Sequence, residues 1–245
     1  MELTAAYLFI HGGKLLVGSK DDPFTHMAVI TITGNRLAYE LPVYGAKCIG
    51  VREGELQMHG KPKHTWTRLS ATAFANNTHV DLRDPVDWEP NDLIVIASTS
   101  FDQEEAEPMR VAQVTRNGTR VELQSPLRFD HLGDGWSDAG PDTHSERGWL
   151  SNGDHIEEYS AEVGLLSHNV IVQGDNPTSR REQFGVQIVW HSRGDNTAVG
   201  KMSNVEVRFA GQGLKLGKYP IHFHLIGNVS RWEKKRKMKR DKAIA

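Results

Sequence analysis

Between residues 12 and 60, glycine recurs at Gly12, Gly13, Gly18, Gly34, Gly45, Gly50, Gly54 and Gly60. The runs between them, "YLFIHGGKLLVGS", "MAVITITG" and "KCIGVREGELQMHG", are rich in β-branched side chains and alternate in polarity, with no 3.6-residue apolar period. A chain cut this often by a residue that freely adopts positive φ turns between short strands and has no room for packed helices. The fold class is therefore all-β, and the pattern suits a sandwich, a barrel or the start of a solenoid.

Residues 64 to 126 continue in the same way through "THVDLRD", "DLIVIAST" and "RVAQVTRNGTRVELQSPL", where Asn117-Gly118 predicts a hairpin turn. From His131 to Ser160 the chain becomes polar and rich in Gly and Asp, which reads as a loop-rich insertion. The expected domains are 1–127 as a β module, 128–160 as the insertion, 161–230 as a partial solenoid and 231–245 as a basic tail. That tail carries eight Lys/Arg against two Asp/Glu.

After the insertion, "HNVIVQG", "GVQIVWH", "NVEVRFAGQG" and "YPIHFHL" place corresponding apolar positions about 16 to 19 residues apart. Short β segments near a fixed period predict coils of a parallel β-helix, each burying its apolar face against the next. Stacked in that register, Ile188, Val207 and Phe223 point inward, while Gln187, Glu206 and His222, and beside them Val189, Arg208 and His224, point outward. This makes Glu206, Arg208, His222 and His224 the candidate ligand-binding set. An acidic saccharide suits the guanidinium and protonatable imidazoles, and His222 and His224 could begin a metal site. The competing reading is a solvent-exposed salt-bridge ladder on a solenoid wall.

Bulk properties narrow the classes of function. A formal charge of -2 gives no reason to expect nucleic acid, and no run of apolar residues reaches the roughly 18 of a membrane span. The N-terminal residues lack the pattern of a signal peptide. Cys48 is the sole cysteine, so no internal disulfide forms. Sequons stand at Asn76, Asn117 and Asn228, and Arg193-Gly194-Asp195 spells a tripeptide read by some adhesion receptors. Asp21 with Asp22, and Asp102, Glu104, Glu105 and Glu107, offer oxygen ligands for calcium without matching a defined loop spacing.

Several long motifs in order, "YLFIHGGKLLVGSKDDPFTHMAVITITGNRLAYELPVYGAKCIGVREGELQMHGKPKHTWTRL", "DLIVIASTSFD", "AEVGLLSHNVIVQG", "VEVRFAGQG" and "LGKYPIHFHLIGNV", resemble the fibrocystin family. The resemblance covers nearly everything from residue 5 to 230. It implies a G-eight (G8) β module followed by the first coils of a right-handed parallel β-helix, a pair of modules shared with hyaluronan-degrading cell-surface proteins.

The resemblance also implies an extracellular or cell-surface setting. The expected function is a non-enzymatic recognition or structural segment, with a hyaluronan-binding or hyaluronan-cleaving domain as the alternative. Implied partners are an acidic polysaccharide or an extracellular protein. No cofactor is required, and calcium or another divalent metal is the only candidate. Three departures bear on chemistry: Phe209 stands where relatives often carry histidine, His168 where they often carry arginine, and Asn91 where they carry glycine. By the same resemblance the match begins inside the module and ends a coil or two after "YPIHFH", so the chain is expected to be a fragment or a truncated gene product.

Overall fold

The structure, a computed structural model, describes residues 1–134, 160–195 and 197–226. The expected boundary at 230, the basic tail and the sequon at Asn228 lie outside the described residues, as does most of the insertion. The chain forms two compact units, one of residues 1–62 together with 168 onward and the other of residues 63–167.

In the first unit the backbone climbs in coils of up to three strands. The first coil is β1 (Glu2–Ala5), β2 (Tyr7–His11) and β3 (Lys14–Val17), and the second is β4 (Ala28–Ile32), β5 (Cys48–Arg52) and β6 (Glu55–His59). The chain then leaves for the second unit, where it forms β7 (Trp66–Arg68), β8 (His79–Asp81), β9 (Leu93–Ile96), β10 (Glu107–Thr115), β11 (Arg120–Leu123) and β12 (Glu162–Leu165). On return it makes β13 (Val170–Gly174), the five-residue helix α1 (Thr178–Glu182), β14 (Gln187–His191) and β15 (Val199–Ser203), then β16 (Val205–Arg208) and β17 (Ile221–His224).

Coil stacks on coil through three parallel sheets, β1-β4-β13-β16, β2-β5-β14-β17 and β3-β6-β15. The described part of the first unit is thus a parallel β-helix from its first strand, whereas the sequence pattern and the resemblance place the β-helix coils only after the insertion. Its core is a set of apolar columns fixed by register. Leu8, Ile49, Ile188 and Ile221 form one, and Ile10, Val51, Trp190 and Phe223 the next. Trp190 is fully buried and its indole stacks on Phe223 at 4.7 Å and 18°. Gly200 makes room for it, since a Cβ there would lie 2.5 Å from the indole Cε2.

The second unit is a six-stranded antiparallel sheet, ordered β7-β12-β9-β10-β11-β8, around its own core of Val80, Ile94, Ile96, Val111, Val121 and Val163. The Asn-Gly hairpin is where the sequence places it, joining β10 to β11. Its connection is four residues, 116 to 119, of which Arg116, Asn117 and Gly118 have positive φ of 50°, 55° and 96°, the region Asn and Gly enter most readily. Within the first unit the chain segments before and after this excursion are joined: the Lys61 backbone N–H donates to Asn169 Oδ1 at 2.8 Å, and a Cβ on Gly60 would strike the Asn204 carbonyl.

Two expectations need correction. The compact units do not divide at residues 127 and 161, because residues 1–62 belong with the later coils and the excursion between them starts at Lys63. The repeat is also twice the length read from the sequence. Val170 pairs with Val205, 35 residues on, and Ile188 with Ile221, 33 residues on. The spacing of 16 to 19 measures the step between strands of the first and second sheets, within one coil or from one coil to the next.

One buried charge locks the corner between the first two sheets. Lys47 is wholly inaccessible, and its ammonium meets the Asp175 carboxylate, donates to Ser179 Oγ at 2.8 Å and to the Gly34 carbonyl at 3.1 Å. Burial pushes the Asp175 carboxyl upward, but the hydrogen bond and charge of Lys47 outweigh it and hold the group below the usual carboxylate range. A depressed folded pKa gives stability that is present above the unfolded value, about 3.9, and lost as pH falls through the folded one. Removing the carboxylate alone strands the ammonium. Asp175→Ala is therefore expected to lower unfolding stability by about 3 to 5 kcal/mol in urea titrations, with a Lys47→Met, Asp175→Leu double variant recovering much of the loss. A double variant no more stable than Asp175→Ala would show that the pair does not act as a unit.

Candidate functional site

The doubled repeat redistributes the residues singled out by sequence. Glu206 and Arg208 lie on β16 in the sheet with β13, whereas His222 and His224 lie on β17 in the sheet with β14. The four do not form one face. Arg208 donates from Nε to Gln173 Oε1 at 2.7 Å and pairs with Glu206 at 3.2 Å, while Gln173 donates in turn to Thr31 Oγ1 at 2.9 Å. This is a polar ladder on a solenoid wall, and Glu206 and Arg208 are satisfied within it.

The histidines gain different neighbours. Parallel register aligns His11, Arg52, His191 and His224 in one outward column, and Phe9, Gly50, Val189 and His222 in the next. The His191 and His224 rings lie 5.3 Å apart, as do those of His222 and His224. His222 Nδ1 is tied to the Gly217 carbonyl at 2.8 Å, and the Tyr219 ring stands 5.6 Å from its imidazole. One carboxylate, Glu53, pairs with the column, 3.6 Å from His11 and 3.7 Å from Arg52.

Tyr44 completes the face from a corner loop. Its ring crosses Phe9 edge-on at 4.9 Å and its hydroxyl lies 3.3 Å from His191 Nδ1. Gly50 permits this, because a Cβ there would come within 2.8 Å of both the Phe9 and Tyr44 rings. The loop is latched from later coils: Gln187 and Lys218 both donate to the Tyr44 carbonyl, at 2.7 and 3.1 Å, and Gln212 donates to that of Ala46 at 2.9 Å. Sequence reasoning missed His191, Arg52 and Tyr44. The last residue of "QIVWH" would have revealed His191 had it been aligned with His224 at a 33-residue repeat.

Electrostatics on the face are those of stacked cations. Burial lowers the His191 pKa, and the neighbouring His224 and Arg52 lower it further. Burial also raises that of Tyr44, so its phenol stays protonated in the ordinary pH range. Among the described residues no cluster of three His, Cys, Asp or Glu side chains has metal-holding geometry, so His222 and His224 gain no third ligand there. Glu107 is no calcium ligand in waiting either. It is buried in the second unit, accepting from the backbone N–H groups of Arg128 and Phe129 and contacting His131 Nε2 at 3.2 Å. Burial lifts the Cys48 thiol to about 11, which leaves it inert. Asn76 and Asn117 are exposed turn residues, and Arg193-Gly194-Asp195 is an exposed bend in which Asp195 accepts from Thr197.

Comparison with known proteins agrees with the fold. The G8 domain family matches residues 1–70, and the CEMIP beta-helix family matches 183–245, a stretch that holds His191, His222 and His224. The chain is 36% identical to human fibrocystin-L over 94% of its own length, and it spans 6% of that protein. Dog fibrocystin is 35% identical over 75% of the chain, which spans 4% of it. A G8 domain-containing protein of Dictyostelium discoideum is 27% identical over 89% of the chain, which spans 13% of it. Among solved structures, the tailspike of Pseudomonas phage phi297 aligns at a TM-score of 0.35 and 12% identity, covering 89% of this chain and 28% of that one. The chain therefore carries a G8 domain and β-helix coils, and its similarity to the fibrocystins runs along most of its length.

The cationic column makes a spectroscopic prediction. In an imidazole-resolved NMR titration, His191 is expected to titrate below the ordinary histidine value of about 6.5, and to move up toward it in a His224→Ala variant. A His191 midpoint that ignores the loss of His224 would separate the two rings electrostatically.

Proposed function

We propose that this G8-bearing, fibrocystin-L-like chain is a non-enzymatic recognition segment of a larger cell-surface protein, and that its histidine face attracts an acidic polysaccharide. The observation that carries this reading is the outward column His11, Arg52, His191 and His224, with His222 beside it and Tyr44 seated against His191. Strands in such a stack are spaced by about 4.8 Å, so the column presents a row of fixed and protonatable cations along the solenoid axis. A polyanion can follow a row of this kind without any one group being aligned for chemistry. Exposed sequons at Asn76 and Asn117 suit a glycosylated, extracellular setting. No helix among the described residues is long and apolar enough to cross a membrane.

The second reading, a hyaluronan-cleaving domain, is favoured by the CEMIP beta-helix match over the residues that bear His191, His222 and His224. Against it stands the chemistry. Cleavage of a glycosidic bond needs a positioned acid and a partner base or nucleophile, normally two carboxylates, or a metal in place of part of the pair. Among the described residues Glu53 is the carboxylate paired with the column, and it is bound to Arg52 and His11. Phe209 occupies the place where the resemblance implies a histidine.

High-molecular-weight hyaluronan separates the readings. Incubated with the purified chain, with or without calcium, it should keep its size and bind weakly. Binding should weaken as salt rises and strengthen as pH falls below about 6.5, with the His191 share appearing at lower pH than an ordinary imidazole would give. Size loss that disappears in a His191→Ala, His224→Ala double variant would overturn the non-enzymatic reading.

A further inference from the structure

The described coils turn the corner between the second and third sheets three times. β2 reaches β3 through Gly12 and Gly13, and β5 reaches β6 through Glu53 and Gly54, so two residues are enough to close it. The third passage, from β14 to β15, takes seven residues, 192 to 198. β15 nevertheless pairs with β6 in register, from Val199 on Glu55 to Ser203 on His59, so the additional length does not shift the stack. This longer corner carries Arg193-Gly194-Asp195, which neither the polar ladder nor the histidine face uses.

The corner is held at both ends and exposed between them. Ser192 is buried; its Oγ donates to the Leu225 carbonyl at 2.8 Å and accepts the Gly194 N–H at 3.1 Å, and Ala198 packs into the core at the other end. Arg193, Gly194 and Asp195 are all exposed. Gly194 has a φ of 86°, a conformation that strains any L side chain, so glycine sets the bend. Asp195 accepts from the Thr197 N–H at 3.2 Å and from its hydroxyl at 2.8 Å, both at Oδ1. The hydroxyl bond, more than any other influence, holds the Asp195 carboxyl below the usual carboxylate range, so the group is ionised at neutral pH. Arg193 has no ion pair or hydrogen bond among the described residues.

We propose that this bend is a docking site for a cell-surface adhesion receptor that holds a divalent cation beside an acidic pocket. The Asp195 carboxylate completes the receptor's cation shell through Oδ2, the oxygen that Thr197 does not take, and the Arg193 guanidinium enters the acidic pocket as a charge-assisted donor. Gly194 leaves room for the partner to close on the bend, since the nearest atom of this chain to a Cβ built there is the Leu225 carbonyl oxygen at 4.0 Å. A bend already fixed by Ser192 and Thr197 loses less conformational entropy on binding than a flexible tripeptide, which favours the bound state. The proposal does not rest on the histidine face.

The probe is a soluble integrin ectodomain of the class that binds Arg-Gly-Asp peptides, passed over the immobilised intact chain in buffer containing Mn²⁺. Capture is expected, with loss on chelation by EDTA and displacement by a free Arg-Gly-Asp peptide. Asp195→Glu conserves charge and lengthens the side chain by one methylene, and it should weaken capture by about tenfold or more, as should Arg193→Ala. Both positions are exposed, and a ¹H–¹⁵N spectrum checks that each variant keeps the fold. No capture by the parent chain, capture that survives EDTA or the competing peptide, or an Asp195→Glu variant captured like the parent would overturn the proposal. Hyaluronan binding is read separately on the same surface, and Asp195→Glu should leave it unchanged. A parent chain that binds hyaluronan but not the receptor would remove the docking site and spare the histidine face; capture of the receptor without hyaluronan binding would do the reverse.

Discussion

Register is the constraint on which the first unit depends. A parallel stack places each residue directly over its counterpart in the neighbouring coil, and a slip of one residue would turn every inward side chain outward. What prevents the slip is the column Ile10, Val51, Trp190 and Phe223, where the fully buried Trp190 sits in a slot that a Cβ on Gly200 would close. The inward columns thus decide the outward ones. His191 stands over His224 because Trp190 stands over Phe223.

That dependence explains why like charges are tolerated on the second sheet. Arg52 between two imidazoles is electrostatically unfavourable when all are charged; burial is the main cause of the depressed His191 pKa, and His224 and Arg52 add to it. The cost is small beside the burial of the column beneath, since a fully buried large apolar side chain contributes roughly 1.5 to 3 kcal/mol. On the first sheet the same geometry gives the opposite result: Thr31, Gln173, Arg208 and Glu206 complement one another and need nothing further. A solenoid wall can therefore hold a closed polar ladder and an open cationic one on adjacent faces. The open one is the better candidate for a ligand.

How much of this was legible in the sequence follows from the range of each signal. Local chemistry read well: Asn117-Gly118 specifies a turn whatever surrounds it, and alternating β-branched runs bounded by glycine became strands of the expected kind. Face identity along "IHFH" also read correctly, because alternation is a property of the strand itself. The partners of Glu206, Arg208, His222 and His224 did not, because assigning them needs the coil length, and alternating strands of two sheets with similar composition give a false period near half the true one. Corner loops of unequal length hide the real repeat further: Ala5 to Tyr7 turns one corner in a single intervening residue, while Ile32 to Cys48 takes a long loop to do the same. The buried Glu107–His131 pair had no local signal, since burial there is decided by packing across the sheet.

The most informative departure from regularity is that long corner loop. Val43, Gly45 and Lys47 all have positive φ, at 70°, 76° and 54°, and for a β-branched valine this is a genuine outlier. Strain of this kind persists only where surrounding structure over-determines it. Here it does: Lys47 is sunk into its ion pair with Asp175, while Gln187, Gln212 and Lys218 hold the Tyr44 and Ala46 carbonyls. Closing the corner does not by itself require a loop of that length, because the first coil turns the same corner with one residue. What the loop does provide is the placement of Tyr44 against His191, with Gln212 and Lys218 of a later coil latching it. Strain concentrated there, and held by groups from three successive coils, fixes the Tyr44 ring against the His191 imidazole and so sets the shape of the histidine face.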